Sequence, residues 1–172
     1  MSQDSALTAP PEIARDRPRK PGRKILAIVD DSAEMKVAIL YACHRAVATD
    51  ARVSLLCVVP PLDFRGFAAV EERMLDEAFD EARARLYDMA RHVWSITGLY
   101  AEIVVCGGST FDEMKRLLDA EPEIRMVVLA AAAGPDGPGP LVSRLAAGGG
   151  MISRPVTIVP GHLSLADIET LA

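Results

Sequence analysis

RMVVLAAAAGPDGPGPLVSRLAAGGG, residues 125–150, holds three kinds of sequence in succession. Met126 to Ala133 is a continuous apolar run, well short of the ~20 residues that span a bilayer and uniform enough for a strand covered on both faces. At Gly134 the run breaks into glycines and prolines, and from Leu141 the residues suit a helix. A buried strand, a glycine loop and a helix start, in that order, mark the carboxyl edge of a parallel α/β sheet. Backbone N–H groups and a helix dipole converge there, which makes it a common place for phosphate.

The flanking sequence repeats the alternation. KILAIV at 24–29 is a first apolar strand that stops at Asp30-Asp31-Ser32, with Ser32 a natural N-cap for a helix from Met35 to Ala48. RVSLLCVV at 52–59 is a second strand, ended by Pro60-Pro61. A long helix is expected from Val70 to about Thr97. Val70, Met74, Ala78, Ala82, Leu86, Met89, Val93 and Ile96 recur three or four apart along it, the charges fall mostly outside that stripe, and Gly98 supplies the stop. A third strand is read at 100–105, followed by Gly107-Gly108 and a short helix capped by Ser109 or Thr110, with Asp112 and Glu113 in its first turn. The fourth strand is 125–132, a helix covers 141–147, PVTIV at 155–159 is a fifth strand, and Ser164 caps a last turn or two. Five apolar strands joined by right-handed crossovers give an α/β fold: an open parallel five-stranded sheet with helices on both faces.

Composition narrows the function. The formal net charge of −5 argues against a nucleic-acid backbone as the main partner. Residues 1–23 carry five basic and three acidic side chains, leaving 14 basic against 21 acidic in the rest. Residues 1–23 therefore read as a basic, proline-containing disordered tail, and 24–172 as one globular domain. No segment is apolar enough to cross a membrane, and the tail lacks the features of a signal peptide. Cys43, Cys57 and Cys106 are odd in number, far apart and flanked by apolar residues, which suits core thiols in a reducing compartment, the cytoplasm. His44, His92 and His162 have no ligand-like spacing. No Walker sequence, G-x-G-x-x-G, G-x-S-x-G elbow or metal-ligand cluster is present, so catalytic chemistry has no visible carrier.

In this order the pieces resemble the universal stress protein family. KILAIVDDSAEMKVAILYA at 24–42 is similar to the family's opening strand with its Asp, small residue and Ser before the first helix. RVSLLCVVPP at 52–61 resembles its second strand, and VVLAAAAG, LVSRLAAGG and RPVTIVP within 127–160 resemble its closing strand, loop, helix and last strand. The resemblance implies a Rossmann-like sheet of order 3-2-1-4-5 and an adenine nucleotide, ATP, ADP or AMP, at its edge. Adenine and ribose would lie near Asp30 and near Val58 or Val59, and the phosphates over a loop of the form G-x2-G-x9-G-[S/T]. Gly134 and Gly137 match the first pair; the closing pair matches Gly148 and Gly149 one residue late and without the hydroxyl. Pro135, Pro138 and Pro140 remove N–H donors from the same loop.

Three functions are therefore weighed. The first is a non-catalytic regulatory module of the stress response that binds an adenine nucleotide. The second is a homodimeric interaction protein of the same family, paired through its fifth strand, that has lost the nucleotide. A weak ATPase is the third.

Overall fold

The computed structural model describes residues 22–61, 68–135, 137–148 and 151–172. The tail assigned to residues 1–23 lies outside the described residues except for its last two. Ten elements follow in chain order: β1 (Lys24–Ile28), α1 (Met35–Thr49), β2 (Arg52–Val59), α2 (Ala68–Thr97), β3 (Glu102–Gly107), α3 (Thr110–Ala120), β4 (Ile124–Ala131), α4 (Pro140–Ala146), β5 (Val156–Pro160) and α5 (Leu165–Leu171). The sheet order is β3-β2-β1-β4-β5, every neighbouring pair parallel. This is the α/β sheet expected from the apolar runs.

The strands read as uniformly apolar because both faces are covered. Alternation along β1 sends Ile25 and Ala27 to one layer and Leu26 and Ile28 to the other. The first layer is closed by Ile39, Ala42 and Cys43 of α1, Ala82, Leu86 and Val93 of α2, and Ile168 of α5. The second is closed by Phe111, Met114 and Leu118 of α3 and Val142 of α4.

The structure corrects several expectations. Ser32 does not cap α1; the N-cap position is Glu34, with no side-chain cap bond. The Ser32 N–H instead donates to Asp30 Oδ1 at 3.0 Å, a local Asx turn that delays the helix to Met35. The apolar stripe of α2 is buried only in part: Val70 and Met74 are 43% and 40% exposed, whereas Leu86 is fully buried. β3 starts at Glu102, two residues later than read, and leaves Tyr100 exposed. Ser109 stands at the N-cap of α3 but makes no side-chain cap bond. α4 begins one residue early because Pro140, with its preset φ, occupies N1. Gly98 stops α2 as expected, in the left-handed region at φ +67° with its N–H on Trp94 O. α5 carries the expected Ser164 cap, as a full capping box with Asp167.

Where β5 ends, the chain passes close beneath the start of α1. Gly161 donates its N–H to Ala131 O at 2.9 Å. A Cβ there would lie 2.7 Å from Glu34 Cβ, closer still to Glu34 Cγ, and 3.2 Å from Ala131 O. Two of these obstacles are at or next to backbone and cannot swing aside. Gly161→Ala is therefore expected to cost about 1–3 kcal/mol, read as a lowered midpoint in urea.

Candidate functional site at the carboxyl edge of the sheet

The chain order β1, β2, β3 runs outward in one direction, and β4 and β5 lie on the other side of β1. The direction of winding reverses between β1 and β4, so the helices that follow these two strands leave to opposite faces. A crevice opens between them at the strands' carboxyl ends, the position where open α/β sheets bind ligands. A cavity of about 780 Å³ occupies this crevice.

Six segments build its wall. β1 runs out into Asp30, Asp31 and Ser32, and β2 supplies Cys57, Val58 and Val59. β4 contributes Leu129 and Ala130, while α3 begins at the rim with Thr110 and Phe111. α2 presents Ala78, Glu81, Ala82 and Arg85 along one stripe, and Gly139, Pro140 and Arg144 come from the start of α4. The volume lies in the range of small-molecule sites.

The cavity has an apolar floor and a charged rim. Val59 is 5% exposed and Leu129 2%, so the floor is continuous with the core. Asp30, Asp31, Glu34 and Glu81 bring four carboxylates to the wall and Arg85 and Arg144 two guanidinium groups. One oxygen of Asp30 accepts the Ser32 N–H of the Asx turn, so the carboxylate has a structural task as well as a place in the cavity. Arg144 lies over the Phe111 ring, 4.0 Å from its centroid, and its Nη2 is 3.7 Å from Asp112 Oδ1. Such stacking orients a guanidinium and leaves its edge able to donate. Arg85 Nη1 lies 4.0 Å from Cys57 Sγ.

Ser32 adds a separate observation. Ser32 is one of the residues that line the cavity, and its Oγ is buried with no hydrogen-bond partner among the described residues. An orphaned hydroxyl beside a cavity of this size fits a polar ligand atom as its missing partner.

The sequence-derived residues divide into two groups. Asp30 and Val58, together with Val59, line the cavity. Gly134, Gly137 and Gly148 are not among its lining residues, and Gly149 lies outside the described residues. The Gly137 N–H approaches Gly134 O at 3.4 Å, which closes a turn, and Gly148, at φ +72°, donates to Leu145 O at the end of α4. A Cβ on any of these three glycines would meet nothing within 4 Å. Arg85, Phe111 and the Ser32 hydroxyl were not singled out from sequence as site residues. For Arg85 the sequence carries no signal of its own, since the apolar stripe of α2 passes through its neighbour Leu86.

The cysteines show no nucleophilic character. Burial raises Cys57, an effect the Arg85 guanidinium opposes and the Asp30 and Asp31 charges reinforce. Burial pushes Cys43 up to about 12 and Cys106 up to about 11, the latter helped by its hydrogen bond to Glu113. All three are thiols at neutral pH. Among the described residues no cluster of His, Cys, Asp or Glu is arranged to hold a metal ion, and no helix is long and apolar enough to cross a membrane.

Solved structures share this architecture. A universal stress protein from Lactobacillus plantarum superposes with a TM-score of 0.68 at 20% identity, covering 80% of this chain and 97% of its own. One from the same family of Burkholderia pseudomallei gives 0.62 at 19%, covering 80% and 95%. A universal stress protein described as in complex with cAMP gives 0.55 at 17%, covering 81% and 98%. At these identities the likeness concerns the fold. No curated protein sequence matches the chain. The family model described as "Universal stress protein family" matches residues 22–137, from the residue before β1's flank to the glycine turn after β4. That match spans well over half of the 172 residues, and the chain belongs to the universal stress protein family.

Proposed function

We propose that the protein is a non-catalytic regulatory module that binds an adenine nucleotide in the cavity at the β1/β4 switch. The observation that carries this reading is the cavity itself. It places an apolar floor, the Asp30 carboxylate and the unpartnered Ser32 hydroxyl around one volume at the carboxyl edge. Those groups suit the nucleoside half of the ligand: Val58 and Val59 for the flat base, Asp30 and Ser32 for ribose hydroxyls. That a related structure is described as a cAMP complex supports the ligand class. On the phosphate side Arg144 is the charged side chain best placed, with Gly134, Gly137, Gly148 and Gly149 as the backbone candidates. A protonated Cys57 beside Arg85, the nucleophile candidate among the described lining residues, favours binding without turnover. Binding would act by shifting the populations of loop or dimer states that differ in affinity for the nucleotide. The same proposal places the protein in the cytoplasm, where its thiols stay reduced.

Mass spectrometry of small molecules released by denaturing the purified protein tests the reading: an adenine nucleotide is expected, and its absence after purification without dialysis counts against it. Asp30→Ala is expected to weaken nucleotide binding about tenfold or more, the loss of one hydrogen bond to a charged acceptor, and to lower stability by only about 1 kcal/mol through the Asx turn it removes.

A second reading, a dimeric interaction protein that no longer takes nucleotide, is favoured by a different observation. Pro140 stands at N1 of α4 with no N–H, and Gly134, Gly137 and Gly148 are not among the residues that line the cavity. β5 is an edge strand with Ile158 42% exposed, able to pair with a second copy. Sedimentation at micromolar concentration separates the two versions: a monomer that binds nucleotide excludes the second.

A further inference from the structure

The opposite, amino-terminal edge of the sheet holds a second pocket of about 510 Å³. Three arginines line it, Arg23 before β1, Arg45 in the last turns of α1 and Arg125 in β4. Among the described residues no acidic side chain lines it. This is a local inversion of charge in a chain whose net charge is −5.

The backbone explains why Arg125 is there. The pairing of β1 with β4 steps from Lys24 opposite Ile124 to Ile25 opposite Met126, so Arg125 is the extra residue of a β-bulge. A bulge breaks the alternation of side chains and redirects the extra one at a sheet edge. Ile124 on one side of it remains fully buried, while Arg125 itself is exposed at the pocket.

The neighbouring ion pairs do not use these arginines. Lys24, the fourth basic residue at the pocket, is held by Glu102 and Glu121 at 2.6 Å each and by Glu123 at 3.7 Å. Those carboxylates are engaged on the lysine and are absent from the pocket wall. Arg45 is already engaged, its Nη1 donating to the backbone oxygen of Ala172, the last residue, at 3.2 Å. Arg23 and Arg125 make no side-chain hydrogen bond or ion pair among the described residues. Three guanidinium groups around one concavity repel each other, and each offers a planar pair of donors to an oxyanion. Met126 and Ala51 provide an apolar wall beside them.

We propose that this pocket is a second ligand site, distinct from the cavity at the carboxyl edge, for a multivalent oxyanion of the phosphate type. It recognises the charge and the tetrahedral oxygen geometry, whether the anion is free or is the phosphorylated end of a small molecule. The proposal does not depend on nucleotide binding at the upper cavity. It also has a consequence there: a nucleotide can enter the lower pocket by its phosphates alone, and adenosine cannot.

Isothermal calorimetry with inorganic pyrophosphate at constant ionic strength tests it, using the full chain. The wild type is expected to show saturable binding of one equivalent. Arg23→Gln/Arg125→Gln removes two of the three guanidinium groups without breaking a described contact, and should weaken binding roughly tenfold or more. Arg83→Gln/Arg91→Gln changes the net charge equally but removes arginines that pair with Asp80 and Asp88 on α2, and should leave the affinity unchanged. Should the first variant fail to fold, Arg45→Gln tests the third arginine and is expected to weaken binding in the same direction. Glucose 6-phosphate in place of pyrophosphate distinguishes a phosphorylated small molecule from the free anion. No saturable heat with either probe, or an equal loss in the α2 control, overturns the proposal.

Discussion

Leu86→Ala lowers the stability of the fold by about 3–5 kcal/mol, whereas Met74→Ala changes it by less than about 0.5 kcal/mol. Both residues belong to the same apolar stripe of α2, and only their place along the helix separates them. Leu86 is fully buried in the layer formed with β1, β2 and α1, where truncation leaves a cavity that the packed neighbours fill only in part. Met74 is 40% exposed, and all described positions from 70 to 77 are exposed with it. The reason is length. A 30-residue helix is ~45 Å long, while the eight-residue strand β2 beside it spans ~26 Å. The surplus at the start of α2 projects past the carboxyl edge, and the turns just behind it, Ala78 to Arg85, become cavity wall. Urea denaturation of the two variants checks this directly; equal losses would mean that the first turns of α2 are packed.

Removing the charge of Lys24 has the next largest effect. Lys24→Met keeps the apolar stem and is expected to cost about 2–3 kcal/mol at neutral pH. That is less than the full cost of breaking a buried pair, because the carboxylates left behind are partly solvated. The Lys24 side chain is 10% exposed, against 43% for Glu102, 27% for Glu121 and 47% for Glu123. Burial by itself would lower the lysine's affinity for its proton. The hydrogen bonds and charges of Glu102 and Glu121 together outweigh it, and the ammonium is held above its ordinary value of 10.5. The sign of the pH effect follows. A group bound more tightly to its proton in the folded state stabilises the fold fully below its unfolded value, and that contribution fades as pH rises through the folded one. The gap between wild type and Lys24→Met should therefore be constant through neutral pH and close only above about pH 10.5. A gap that closes near neutrality would contradict the ion cluster.

Much of this architecture was legible because buried parallel strands are apolar without interruption. The runs at 24–29, 52–59 and 125–132 could be placed within a residue or two, and their spacing implied the crossovers. Periodicity in α2 was equally clear but says only which face is apolar. How much of that face meets a sheet depends on strand length, which is a tertiary property. Ser32 differs for a similar reason: a serine before a helical pattern has the chemistry of a cap, but its own N–H is turned onto Asp30, the helix starts only at Met35, and its hydroxyl caps nothing.

The candidate site was legible in its strand-borne half. Asp30 follows from its strand end, because strand ends in a parallel sheet must lie at one edge, and Val58 follows from the family resemblance. Arg144 is legible as a cation beside the glycine loop, but Arg85 and Phe111 reach that edge from two other helices, and nothing local in the sequence announces their meeting with it. The β4–α4 connection showed its glycines plainly, yet it is Pro138, Gly139 and Pro140 that line the cavity, and Gly134 and Gly137 do not. The bulge at Arg125 was hidden altogether, since a one-residue shift between two parallel strands leaves no pattern in either strand alone.

The central claim is that the cavity between β1 and β4 binds an adenine nucleotide through its nucleoside half. Calorimetric titration of the Arg23→Gln/Arg125→Gln variant with AMP, ADP and ATP at millimolar concentration tests it most directly, because that variant lacks the arginines that would hold phosphates at the other edge. Saturable heat at one equivalent, sharply reduced when Asp30→Ala is added, is the predicted result. No heat with any of the three nucleotides, in the variant and the wild type alike, would contradict it.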